Sequence, residues 1–210
     1  MTDYFIFVPI AYLIGSIPFG YVITRFILKM DVRQIGSGKT GMTNVMRAAG
    51  TKVGIAVLLL DMGKAVVAIA LPKFLIDSPG VDAAAGIAAL IGHIWPIYIG
   101  FKGGSGVAPG WGGLFMLWWL PGLIGTGLGV PVVFLTRHVS AGSLVGATTG
   151  ALAIVIFAAF EFHVPREYMW YGIVGAPLII LRHRGNIGRL LRGEERKIGV
   201  RAGPKAPKQQ

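Results

Sequence analysis

"VGIAVLLLDMGKAVVAIALPKFLI", Val53 to Ile76, decides the fold. Its 24 residues are apolar except for Gly54, Asp61, Gly63, Lys64, Pro72 and Lys73. At about 1.5 Å per residue, a helix of this length crosses a hydrocarbon layer about 30 Å thick. Asp61 and Lys64 stand three apart, on one side of such a helix. Charges inside a membrane are expensive and mark either function or an internal pair. Lys64 is far in sequence from the polar loops, so the expectation is an ion pair that fixes helix packing.

Six further apolar runs accompany it, at 4–28, 81–100, 106–120, 122–136, 142–161 and 167–182. The fourth and fifth runs are short, separated only around Leu120–Pro121–Gly122, and could merge into one broken element. The composition agrees with a membrane protein. Of 210 residues, 54% are hydrophobic and 14% charged, and the mean hydropathy is +0.67. A soluble domain carries roughly 25% charged residues. There is no cysteine, which excludes disulfides, iron–sulfur clusters and thiolate zinc sites. The opening "MTDYFIFVPI" lacks a basic n-region and is taken as the start of a retained span.

The net charge of +11 admits nucleic acid as a partner, but the distribution of charge along the chain favours the membrane. With seven spans and a cytoplasmic C-terminus, 17 of the 20 basic residues fall inside; Lys73 and Arg166 fall outside and Lys64 within a span. A six-span alternative puts Arg137 and the basic tail on the opposite side from the first loop. The expected fold is an all-α integral membrane protein of seven transmembrane helices, N-terminus outside and C-terminus cytoplasmic. Its membrane domain spans 1–183, followed by a basic cytoplasmic tail, 184–210, able to rest on the anionic leaflet or simply stay solvated.

Four polar clusters fall on the inner face: "GSGKTGMTNVMR" (Gly36–Arg47), "GHIWPIYIGFKGGSGVAPGWG" (Gly92–Gly112), "TRHVSAGS" (Thr136–Ser143) and "RHRGNIGRL" (Arg182–Leu190). Glycine runs let successive N–H groups turn toward one point and cradle an anion. Hydroxyls, Lys and Arg add donors and charge. Neither "GSGKTG" nor "KGGSG" has Walker A spacing. Together, beside His183, Asn186 and several arginines, they point to a phosphate site.

Other chemistries find no support. His93, His138, His163 and His183 are dispersed and inner carboxylates scarce, so no metal site is expected. The H-x-x-x-x-D dyad of many glycerolipid acyltransferases is absent, and no nucleophile–base pair is visible. Catalysis here must rest on positioning and anion stabilisation. His93, beside Gly92 and Pro96, is open to a packing role as well as a binding one. Trp111, Trp118, Trp119 and Trp170 are expected at the interfacial belt or facing lipid.

In this order the clusters resemble the bacterial acyl-phosphate:glycerol-3-phosphate acyltransferases, the PlsY family. The likeness begins at "GSIPFG" (Gly15–Gly20), continues through "GIAVLLLDMGKA", and ends at "RHRGNIGRLLRGEERKIG" near residue 199. The resemblance implies a seven-span enzyme of the bacterial inner membrane with its active site on the cytoplasmic face. The reaction it implies moves an acyl group from acyl-phosphate to the sn-1 hydroxyl of glycerol 3-phosphate. Lysophosphatidate and phosphate are released for phospholipid biosynthesis. No metal or cofactor, no nucleic-acid partner and a monomer in membrane lipid are implied.

Carried over by motif, the catalytic residues are Ser37, Arg47, Lys102, His183 and Asn186. The substrate-binding set is Gly36, Gly38, Lys39, Gly41, Thr43, Asn44, His93, Gly103, Gly104, Ser105, Gly106, Ser140 and Ser143. On this carry-over Ser37 and Arg47 hold one phosphate, and Lys102 with Gly103–Gly106 the other. His183 and Asn186 orient glycerol 3-phosphate, and Glu195 braces the tail. The chain departs from the family pattern at Lys39, Met42, Ser105 and Pro109. A lysine is lost at 105 and one gained at 39, which suggests compensation across one site. A transporter of a phosphorylated solute and a catalytically impaired family member are the rival readings.

Overall fold

The computed structural model describes residues 1–199, and these are helical, with no strand among them. The end of the tail, including Arg201, Lys205 and Lys208, lies outside the described residues. The first apolar run forms two helices, α1 (Thr2–Ser16) and α2 (Phe19–Leu28). Pro18 disfavours helix at the residue before it, and Ile17 is accordingly extended. The break takes the Ile17 carbonyl out of the helical ladder, and it accepts from the Phe19 N–H at 3.2 Å and from Lys64 Nζ at 2.7 Å.

Next come α3 (Met42–Ala49), α4 (Thr51–Leu75) and α5 (Pro79–Ile94). They are followed by α6 (Val107–Leu117), α7 (Trp119–Thr136), α8 (Val139–Ala159), α9 (Met169–Arg182) and α10 (Arg184–Leu191). Five segments are long and apolar enough to cross a membrane: Thr2–Leu28, Thr51–Leu75, Pro79–Ile99, Trp119–Thr136 and Val139–Ala159. Two expected runs give shorter helices. α6 has 11 residues, roughly 16 Å, because Trp118 is extended and separates it from α7. α9 has 14 residues, roughly 21 Å.

Packing is by small residues, since lipid supplies little hydrophobic drive between helices. α7 meets α8 along Gly125, Gly129, Gly142, Gly146 and Gly150; a Cβ built on Gly129 would lie 2.7 Å from the Gly142 carbonyl oxygen. A second seam joins α1 to α5, where a Cβ on Gly15 would overlap the Ala89 backbone. Ile69, Leu114, Leu117, Ile154, Tyr168 and Tyr171 form the largest buried apolar cluster. Large apolar side chains such as Phe26, Phe74, Phe134, Leu135 and Phe160 remain on the outside, as a lipid-facing wall requires.

The four polar clusters meet at one end of this bundle. Residues 184–199 pack there too: Ile198 N–H donates to the Arg137 carbonyl, and Glu195 is buried. The described part of the basic tail thus contributes to the same end of the bundle. Gly129→Val is expected to lower thermal stability, measured by unfolding in detergent, by about 1–3 kcal/mol through overpacking. Gly127→Ala on the same helix meets nothing within 4 Å and should be neutral or slightly stabilising.

Candidate active site

A cavity of about 1220 Å³ opens where the clusters meet. That exceeds the usual range of roughly 300–1,000 Å³ for a small-molecule site. Four helices begin at its wall: Gly41–Thr43 at the start of α3, Val107 and Ala108 of α6, Val139 and Ser140 of α8, and Arg184 and Gly185 of α10. The first N–H groups of a helix have no partner within it, and the helix dipole favours an anion at that end. Eight cations line the same space, Arg33, Lys39, Arg47, Lys102, Arg182, Arg184, Arg189 and Arg196, against three carboxylates, Asp31, Asp61 and Glu195. The three carboxylates are paired: Asp31 with Arg33 at 2.6 Å, Asp61 with Lys64 at 2.8 Å and Glu195 with Arg189 at 2.7 Å. Lys102 is exposed and makes no hydrogen bond or ion pair among the described residues. The surplus positive charge has no protein counterion and suits phosphate.

The wall is not polar throughout. Leu58, Val107, Ala108, Trp111, Val130 and Val133 also line it. The cavity thus has a cationic part and, where α4, α6 and α7 supply its lining, an apolar arm.

All the sequence-selected residues line this cavity except Gly104 and Gly106. Those two act in the frame. Gly104 lies so close under the His93 ring that a Cβ there would overlap Nε2, and its carbonyl accepts from Arg182 Nε at 3.3 Å. Gly106 has φ +90 at the start of α6, a left-handed turn that glycine allows.

Asn44 is a clamp. It is 2% exposed, and its amide donates to the carbonyls of Val32, Ile35 and Lys39 at 2.9–3.1 Å. Its Oδ1 accepts the Ser37 N–H at 3.0 Å. Both ends of the side chain are spent on shaping the Ile35–Gly41 loop, which leaves Ser37 Oγ turned back toward the Lys39 N–H at 3.4 Å. Ser140 is likewise committed, donating to Glu195 at 2.9 Å. Ser143 lines the cavity without such a bond.

Glu195 also accepts from Asn186 Nδ2 and Arg189 Nε, each at 2.7 Å. Burial opposes its charge, but these hydrogen bonds outweigh burial and hold the carboxyl below its ordinary range. Asn186 turns its Oδ1 to Lys39 Nζ at 3.4 Å, and Lys39 Nζ donates to the Arg182 carbonyl at 2.6 Å. The Lys39 ammonium is thus fastened to the C-terminal segment. Burial, then Arg182 and Arg189, lower its pKa to about 8. Arg47 is disfavoured as a cation by burial first and by Arg196 next. Burial carries the pKa of His183 down to about 4. Its Nδ1 lies 2.8 Å from the Ile179 carbonyl, so Nδ1 carries the proton and Nε2 is bare.

Several participants were not selected from sequence. Trp111 lies on the cavity wall with a buried Nε1 that has no partner, rather than in an interfacial belt. Its position one helical turn beyond Val107 and Ala108 was the available signal. Trp119 and Trp170 are exposed, as expected of lipid-facing residues. Arg182 adjoins His183, which would have marked it. Asp61 reaches the cavity from α4, and the signal was its charge within a span.

The family model for glycerol-3-phosphate acyltransferase matches residues 5–193. The chain belongs to that family. A glycerol-3-phosphate acyltransferase of Shouchella clausii is 44% identical over 193 residues, covering 90% of this chain and 93% of the relative. One from Anaeromyxobacter dehalogenans is 46% identical over 200 residues, covering 92% and 96%. The crystal structure of PlsY, an integral membrane glycerol 3-phosphate acyltransferase, in its glycerol 3-phosphate form superposes with TM-score 0.85 at 36% identity, covering 93% of this chain and 96% of that one. Its lysophosphatidic acid form gives 0.82, again at 36% identity. The all-α fold and the integral membrane character follow from this kinship and from the apolar helices.

Two outcomes follow for this family member. Asn44→Asp removes both N–H donors that bind the three carbonyls and should loosen the loop, costing at least about 2 kcal/mol of stability and raising KM for a phosphorylated substrate. Thermal unfolding and steady-state kinetics check it. Deprotonation of Lys39 near pH 8 removes a cation from the cavity, so kcat/KM should fall as pH rises through about 8. Lys39→Arg should move that limb upward. Stability runs the other way: a depressed folded pKa means the folded state sheds its proton first, so between about 8 and the unfolded value stability rises with pH.

Proposed function

We propose that this chain is a membrane acyltransferase that joins the acyl group of acyl-phosphate to the sn-1 hydroxyl of glycerol 3-phosphate. The products are 1-acylglycerol 3-phosphate and inorganic phosphate. One observation carries the reading: a single cavity is lined by cations and helix starts and also by the apolar side chains of α4, α6 and α7. A solute with one phosphate and a lipid with another meet where the two zones join. The family kinship supports the same reaction, since the similar solved structures hold glycerol 3-phosphate and lysophosphatidic acid.

The chemistry needs no protein nucleophile, because a mixed anhydride is already activated. The acyl chain enters the apolar arm. Ser37 and the Gly36–Gly41 backbone with Arg47 hold one phosphate; Lys102 and the loop after it hold the other. His183 and Asn186 orient glycerol 3-phosphate. The hydroxyl oxygen bonds to the acyl carbon as the acyl–oxygen bond to phosphate breaks. The hydroxyl proton passes to the leaving phosphate, which departs as hydrogen phosphate. His183 is a poor alternative: a group titrating near 4 is a weaker base than a phosphate, whose second pKa is about 6. Lys102, Arg47 and the helix N-termini stabilise the departing anion. Lys39 in this arrangement replaces charge that Ser105 does not supply.

In the same reading α6 and α9 complete seven spans, with the N-terminus outside and the cavity on the cytoplasmic face of a bacterial inner membrane. The lysines and arginines around the cavity are the support, since cationic loops stay inside. The enzyme acts as a monomer without metal or cofactor.

The deciding assay supplies glycerol 3-phosphate with palmitoyl-phosphate or palmitoyl-CoA to purified protein in lipid mesophase. Turnover is expected with palmitoyl-phosphate alone and unchanged by a chelator. Ser37→Ala and Arg47→Ala should each lose at least about a hundredfold in kcat/KM. Folded protein with no turnover would reject the enzyme reading and direct attention to solute flux.

A further inference from the structure

Asp61 does more than pair with Lys64. The two lie 2.8 Å apart with side chains 2% exposed. The same carboxylate oxygen lies 3.5 Å from His93 Nδ1. Asp61 and His93 line the cavity, whereas Lys64 does not. Lys64 turns instead to the Ile17 carbonyl at the break between α1 and α2. A pair needed only to bind helices together has no reason to present its carboxylate to a cavity-lining histidine.

His93 holds the loop that ends in α6. Its carbonyl accepts the Gly104 N–H at 3.1 Å, and the Ile94 carbonyl accepts the Gly103 N–H at 3.3 Å. Its ring packs so tightly on Gly104 that a side chain there would collide with Nε2. Rotation of the ring therefore disturbs Gly104, and with it the neighbours Gly103 and Lys102. Asp61 is the group that opposes rotation. A carboxylate beside Nδ1 keeps the proton on that nitrogen and leaves Nε2 bare toward the loop. Asp61 Oδ1 lies within ion-pair distance of both Lys64 Nζ and His93 Nδ1, so its charge draws the N–H edge of the ring toward α4 and opposes its turning away.

We propose that Asp61 is a positioning residue for acyl transfer, acting through His93 to fix the Lys102–Gly106 loop. The proposal rests on the reading that this loop holds a substrate phosphate. Leu58, one turn before Asp61 on α4, already belongs to the apolar arm. Asp61 and His93 thus stand at the junction of the two zones, where loop placement sets the distance between phosphate and acyl carbon. A misplacement of about 1 Å there costs up to a hundredfold in rate.

The test removes both buried charges at once with Asp61→Asn/Lys64→Gln, since a neutral pair leaves no unpaired ion and commonly preserves the fold. The melting temperature should stay within about 4 °C of the parent. KM for the loop-bound substrate should rise about tenfold to a hundredfold with a smaller change in kcat. Affinity for inorganic phosphate, measured by calorimetry, should fall by a similar factor and needs no turnover. Parental KM and phosphate affinity would overturn the proposal. Asp61→Glu, which keeps the charge but shifts the carboxylate by one methylene, should give the same signature should the double variant unfold; parental values there overturn it equally. A cycle with His93→Gln separates direct from indirect action. Asp61→Asn should add less than about twofold on the His93→Gln background; multiplying effects would show that Asp61 does not act through His93. Wild-type turnover with acyl-phosphate tests the reaction itself, so the two failures are distinct.

Discussion

Within a bilayer, every backbone N–H and C=O must find its partner inside the protein. Much of this structure follows from that demand. Where the first span breaks at Ile17–Pro18, a lysine from α4 reaches the Ile17 carbonyl. Where four helices begin, residues of their first turns line a shared cavity instead. Open donors at such a place call for an acceptor from outside the protein. An anion completes the arrangement, and a phosphate ester brings several acceptor oxygens at once.

Charge in the cavity is layered rather than uniform. Carboxylates are held in pairs or networks, so they do not compete with substrate for the free cations. Glu195 shows the principle: it gathers Ser140, Asn186 and Arg189 and thereby ties α8, α10 and the C-terminal segment into one wall. Lys39 is fastened to the same wall through Asn186 and the Arg182 carbonyl. Deeper in, Asp61 with Lys64 and His93 repeats the pattern among membrane-embedded helices. Cations such as Lys102, which makes no hydrogen bond or ion pair among the described residues, are thereby left open to substrate.

The apolar runs were legible because lipid demands a simple length of hydrophobic chain, and each run became a helix or a broken pair of helices. The polar clusters were legible because glycine, hydroxyl and basic residues stand out against such a background. Less of the internal geometry could be read. A run of apolar residues does not reveal where a helix stops, so the extended Trp118 and the short α6 were invisible. Periodicity alone cannot tell a lipid face from a cavity face in a chain where both are apolar, and Trp111 was misplaced for that reason. The roles of Asn44 and Gly104 depend on contacts with Val32 and His93 that only folding brings together.

The glycine seam between α7 and α8 carries a genetic consequence. A leucine on the lipid face can drift to isoleucine, valine or phenylalanine and remain serviceable. Gly129 and Gly142 have no such neighbours, since the first carbon added to either would press on a carbonyl across the seam. Every single-nucleotide step that changes the residue adds at least that carbon. Changes on the exterior of the bundle are thus cheap, whereas a change at these positions costs stability unless both helices move apart in one compensated step.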